Sequence, residues 1–169
     1  MFKKNAQIWV ETVIYTLIGL AIIGLLLSII KPAIEKKQDQ ILIDTSFEMM
    51  SNIQSTVDEV RYYGIGNTRN VDVKIKKGEL EINPAEDSIK FLIESKYEYS
   101  QLDLIINKGR INILTKEKGK LYDVSLILNY SDILNLTWND KENPYILRPA
   151  PAPYTLYATN IDNKRIDFS

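Results

Sequence analysis

One stretch restricts this chain more than any other: residues 7–30, QIWVETVIYTLIGLAIIGLLLSII, apolar almost throughout, preceded by Lys3 and Lys4 and closed by Lys31-Pro32. From Ile8 onward it offers about 34 Å of helix at 1.5 Å per residue, enough to cross a hydrocarbon core of about 30 Å. Each backbone group left unpaired in lipid costs several kcal/mol, so a helix is the form such a stretch takes. A single acid, Glu11, interrupts it, and an acid in hydrocarbon calls for a partner. A plain membrane anchor accounts for every residue here except that one.

The chain has 169 residues and a formal net charge of −1. That leaves room for a membrane segment and one modest domain of about a hundred residues. The near-zero charge argues against a nucleic-acid binder, whose phosphate contacts need a basic surplus. Cysteine is absent, which removes disulfides and thiolate metal sites and is compatible with an exported domain. Histidine is absent too, and with it the commonest general base and transition-metal ligand. No phosphate-binding G-x-x-x-x-G-K-[ST] loop, G-x-S-x-G elbow or H-E-x-x-H helix occurs. Asp72, Glu79, Glu81 and Asp103 alternate with apolar residues, the pattern of a solvated sheet face rather than of convergent acid/base pairs. The expectation is therefore a protein that is not an enzyme, with no cofactor and no metal.

Residues 1–6, MFKKNA, are short and basic and end in a small residue. A secretory signal would follow with an apolar run of 7–15 residues and an A-x-A-like cleavage site. Here the run is too long, and LLLSIIKPAIEK offers no such end. The two leading lysines favour a cytoplasmic N-terminal side, although Lys31, Lys36 and Lys37 dilute the contrast.

KKNA followed by QIWVETVIYTLIGL resembles the class III signal peptide and helix start of archaeal type IV pilins and archaellins. The resemblance covers about the first thirty residues. It implies cleavage by a membrane-embedded prepilin peptidase between Ala6 and Gln7, before the apolar run rather than after it. Lys3 and Lys4 match the basic leader, and Ala6 the small residue at the cut. Gln7 becomes the first mature residue and Glu11 the fifth, where such pilins commonly carry glutamate. Asn5 stands where a second basic residue is usual. The resemblance also implies partners: copies of the same chain in a helical filament, the peptidase, a pilus assembly ATPase and a membrane platform protein.

Physical chemistry gives Glu11 a role under that reading. Cleavage frees an amine at Gln7 whose pKa of about 7.7–8.0 leaves it largely cationic at neutral pH. A carboxylate four residues on lies one turn away, placed to pair with that amine or with a neighbouring copy's. The pairing neutralises a buried charge and sets the register between subunits. The plainer alternative is an acid near the headgroups that reaches back to water. Gly19 and Gly24 permit close helix approach, although their spacing of five is not the G-x-x-x-G pattern. Trp9 suits an interfacial belt, and Tyr15, deeper, is expected to pack.

Lys31-Pro32 marks the membrane exit and an expected kink. Ile43, Phe47, Met50, Val57 and Val60 then form an apolar stripe at steps of three and four, with one longer gap at Gln54. Glu48, Gln54, Asp58, Glu59 and Arg61 form the polar side. Gly64 is a left-handed helix stop, so the helix is expected from about Gln7 to Tyr63. Beyond Asn70 the period becomes two. VDVKIKKGELEIN reads as a hairpin across Lys77-Gly78, setting Val71, Val73 and Ile75 against Leu80 and Ile82. A strand follows over residues 89–99, then a hairpin around Lys108-Gly109, strands in KLYDVSLILNY and DILNLTW, and a last hairpin about Asp162-Asn163. Pro149, Pro151 and Pro153 fix an extended connection. Asn129 and Asn135 head N-glycosylation sequons, Asn-Tyr-Ser and Asn-Leu-Thr.

The fold class expected is α+β: a long N-terminal helix, half membrane-spanning and half amphipathic, packed on an antiparallel β-sandwich or small barrel. Its parts are a leader at 1–6, a transmembrane or filament-core helix at 7–30, an amphipathic continuation at 31–63 and an extracellular β-domain at 64–169. The function expected is that of a filament subunit. An anchored binding domain that never polymerises is the rival.

Overall fold

In the computed structural model a single helix, α1, runs Phe2–Tyr63. The structure describes the backbone of residues 2–169 and the side chains of residues 9–169. The chain divides into two compact units, Met1–Gln38 and Asp39–Ser169.

In the first unit the helix is apolar and no residue from 9 to 38 is buried. Two of its hydroxyls bond within the helix: Thr16 donates to the Thr12 carbonyl at 2.8 Å and Ser28 to the Leu25 carbonyl at 2.7 Å. In an apolar span such back-bonding is how a polar side chain avoids an unpaired group. Helical backbone continues through Pro32, which supplies no amide for the Ser28 carbonyl one turn earlier.

The second unit opens on the amphipathic part of α1. Ile43, Met50, Ile53, Val57 and Val60 are buried in the core, and Phe47 packs at its margin. Ile53 fills the gap left at Gln54, so the stripe keeps its steps of three and four without a break. Burying an apolar side chain of this size contributes about 1.5–3 kcal/mol, so the stripe is a main source of the domain's stability. The helix ends at Gly64, whose amide bonds back to the Arg61 carbonyl at 3.2 Å.

Ten strands follow, in two sheets. The first, Thr68–Val73 (β1), pairs with Tyr154–Asp162 (β9), which pairs with Arg165–Phe168 (β10) and through it with Asn135–Trp138 (β7). The six-stranded sheet has the order β4-β5-β6-β3-β2-β8. These strands are Glu79–Asn83 (β2), Ser88–Ser95 (β3), Ile105–Lys108 (β4), Ile111–Lys118 (β5), Leu121–Asn129 (β6) and Tyr145–Leu147 (β8). Every pairing is antiparallel except β10 with β7. Period-two burial is plain in β3, where Ile89, Phe91 and Ile93 face inward and Leu92 and Glu94 outward. Inward residues of both sheets and the α1 stripe join in one hydrophobic cluster. The architecture is thus a long N-terminal helix packed on antiparallel sheets, α+β, and neither sheet closes into a barrel.

Several local expectations are corrected. β1 and β2 do not form a hairpin: β1 pairs only with β9, while β2 lies between β3 and β8. Residues 74–78 instead carry the chain from one sheet to the other. Gly78 is the reason the path is possible, because a Cβ there would sit 2.4 Å from the Leu92 carbonyl oxygen. The strand expected over 89–99 leaves its ladder after Ser95, where the Lys96 amide turns to Asp39 at 2.7 Å. Asp103 is not on a sheet face but in a turn, with φ at 55°. β8 has no period-two signature and lies between Pro144 and Pro149, yet it pairs with β2. The proline-rich segment connects β8, an edge of one sheet, to β9 in the other, and the Tyr154 hydroxyl donates to the Arg148 carbonyl at 2.9 Å.

Candidate assembly and processing segment

Lys3, Lys4, Ala6 and Gln7, expected to guide and undergo processing, lie outside the residues whose side chains are described. Glu11 is described, and it is exposed on the apolar helix. The Tyr15 hydroxyl donates to its Oε1 at 3.2 Å, one turn along. That distance is long for an O–H···O bond. It uses one of about four acceptor positions on the carboxylate, leaving room for an amine. Tyr15 was expected to pack; within this chain it is two-thirds exposed and serves the acid instead. The spacing of four between Glu11 and Tyr15 was visible in the sequence. Gly19 and Gly24 have nothing within 4 Å of an added Cβ, so both faces are open.

The two sequons differ. Asn129 ends β6 in an exposed turn, its Oδ1 accepting from the Ser131 amide at 2.9 Å and the Ser131 hydroxyl at 2.8 Å. Asn135 begins β7, but the Thr137 of its sequon is buried and donates to Asp167 at 2.6 Å.

The charged groups of the β-domain act as structural ties. Asp39, buried, accepts from Lys77 Nζ at 2.8 Å and the Lys96 amide at 2.7 Å, which fastens the start of the docked helix to both sides of the β2–β3 region. Nothing in the sequence pattern marked it, one acid among the polar residues that precede the apolar stripe. Asp58 pairs with Arg110 at 2.8 Å and Tyr99 donates to Asp44 at 2.9 Å. Reaching from the end of β5 across β6 to β3, the Lys118 hydrogen bond holds the Glu94 carboxyl below its usual range, and Glu94 holds Lys118 above its own. Both are solvent-exposed, and such a surface pair contributes little. Among the described residues no group of three or more acidic, histidine or cysteine side chains is placed to hold a metal ion.

No family model matches the sequence, and no curated protein or solved structure matches it. The class rests on architecture alone: a long apolar N-terminal helix, long enough to cross a membrane, that continues into a segment packed on β-sheets. That arrangement is pilin-like.

Proposed function

We propose that this chain is the structural subunit of an extracellular type IV pilus-like filament. In this reading the precursor sits in the membrane with its C-terminal domain outside. A prepilin peptidase removes residues 1–6, and an assembly ATPase and membrane platform protein drive polymerisation. The helix from Gln7 then leaves lipid for a core of identical helices, and the β-domains form the outer surface. One observation carries the reading: among the described residues of the apolar helix, 9–30, none is buried, and a single acid, Glu11, interrupts that exposed apolar surface near its start. A lipid bilayer accounts for the apolar surface of that helix but gives Glu11 no purpose, which is why polymerisation is preferred to a simple anchor.

Intact mass and N-terminal sequence of the membrane-derived protein test it. A start at Gln7 with the apolar helix retained is expected. Retention of Met1 would leave the anchored, non-polymerising binding domain, and a start beyond Ile30 would remove both.

A further inference from the structure

The edge strands of a sheet present unpaired N–H and C=O groups, and natural proteins guard them with charge, proline, bulges or very short length. Among the described residues the edges are β1, β7, β4 and β8. β1 carries Arg69 and Asp72, which engage Glu59 and Thr155. β7 is turned back immediately by the Trp138–Lys141 bridge. β8 has three residues between prolines. β4 is also short, four residues ending in Lys108, but it has no proline, no bulge and no bridge that turns it back. Leu104, Ile105 and Ile106 stand in a row, 48, 58 and 37% exposed.

The hairpin determines which groups of β4 are free. Its two-residue turn is Gly109-Arg110, with Gly109 at φ 67° in the first central position, a type II′ turn. Lys108 and Ile111 flank it as a hydrogen-bonded pair. Ile106 with Ile113 is then the next such pair, while Asn107–Asn112 and Ile105–Leu114 are non-hydrogen-bonded pairs. The amides and carbonyls of Ile105 and Asn107 therefore point away from β5, toward the open edge.

Charge indicates what fits there. Asp103 lies just upstream of the strand and Lys108 at its end, and among the described residues neither takes part in a salt bridge; the Lys108 ammonium rests over the Phe47 ring at 4.3 Å. Two such strands running antiparallel bring the acidic end of each to the basic end of the other, whereas parallel strands set like beside like.

We propose that β4 is the seat of a second copy of this chain, joined antiparallel about a two-fold axis at Ile106, so that two six-stranded sheets run into one. In that register Ile105 lies opposite Asn107 of the second copy, and every outward group of both residues is paired. Ile106 meets Ile106 of the second copy as a non-hydrogen-bonded pair, with Cα atoms about 4.5 Å apart. A two-fold contact does not repeat along a polar stack of like-oriented subunits, so it joins copies side by side. It requires no assembly of the N-terminal helix and stands apart from the filament reading.

The absence of cysteine makes the test direct, since one introduced thiol reports only on contact between copies. In the full-length chain in its membrane, Ile106→Cys is expected to give a disulfide-linked dimer on mild oxidation, because the pair spacing suits a disulfide. Ile65→Cys, similarly exposed in the turn after α1, is expected not to. Adding Asn107→Pro removes an outward amide while sparing the ladder to β5, and should lower dimer yield by about tenfold or more at an unchanged melting temperature. Asp103→Lys should weaken the dimer, and Asp103→Lys with Lys108→Asp should restore it. No dimer from Ile106→Cys, equal dimer from Ile65→Cys, or indifference to Asn107→Pro would overturn the proposal, whichever N-terminus the mass measurement finds.

Discussion

Asp39 shows how much one residue holds. Its buried carboxylate accepts both the Lys77 ammonium and the Lys96 main-chain amide. Truncating it removes the carboxylate that the part-buried Lys96 amide and the Lys77 ammonium share, so Asp39→Ala should lower unfolding free energy by about 1–3 kcal/mol in denaturant melts. Asn at this position keeps one acceptor and should lose less. Tyr99 gives a prediction at alkaline pH. Burial, then its bond to Asp44, pushes its pKa from 10.0 up to about 12, so the fold favours the neutral phenol. A group raised in this way contributes stability that is complete below pH 10 and disappears as pH rises through about 12. Tyr99→Phe should flatten alkaline unfolding over that window, and the phenolate absorbance of the native protein should show a late-titrating tyrosine that the variant lacks. Tyr130 is held higher still, by burial and by the nearby Asp58. Where glycosylation occurs, it should fall on Asn129 and not Asn135, since the Thr137 hydroxyl is buried against Asp167. Peptide mass mapping decides between them.

Among the elements, the docked half of α1 matters most to the domain. A chain beginning at Pro32 retains Ile43, Met50, Ile53, Val57 and Val60 and should be soluble with cooperative melting. One beginning at Gly64 exposes the sheet surface they cover and should aggregate; equal melting of the two would mean that the helix does not stabilise the domain. The helix was legible from the sequence because its apolar residues recur at three and four and Gly64 ends it. The hairpins at Gly109 and about Asn163 were legible because a two-residue turn is local chemistry. The pairing of β1 with β9, eighty-odd residues away, was not. Val71, Val73 and Ile75 alternate with polar residues as they would in any half-buried strand, and period two carries no information about which strand lies alongside. β8 was missed because three residues between prolines give no periodicity, and its pairing is set by β2. At the segment expected to assemble, Glu11 was legible as an anomaly in an apolar run, whereas Tyr15 was read by hydropathy alone and its hydroxyl overlooked.

If the chain is the filament subunit proposed, the question for the molecule as a whole is whether Glu11 serves insertion or assembly. Insertion is dominated by apolar residues, each buried CH₂ contributing about 0.8 kcal/mol, so residues 20–30 alone outweigh one acid near the end of the span. An acid at the centre of a membrane helix costs only about 2.5–3.5 kcal/mol on insertion scales, and less near its end. Glu11→Ala should therefore insert, be processed and accumulate in the membrane. In a filament the same helix packs against others, and the Gln7 amine would be buried without its counter-charge. Removing one partner of a buried ion pair costs about 3–5 kcal/mol, a cost met in every subunit and enough to cripple polymerisation. Glu11→Gln keeps hydrogen bonding without the charge and should fall between. Tyr15→Phe separates the two partners of the acid: if the amine is the one that matters, losing the 3.2 Å hydroxyl contact should leave assembly near normal. The measurement is the ratio of sheared filament to membrane pool for each variant, in a cell lacking the native gene. A normal ratio for Glu11→Ala would reduce the acid to an interfacial bystander, and a collapse for Tyr15→Phe would make the tyrosine, not the amine, its working partner.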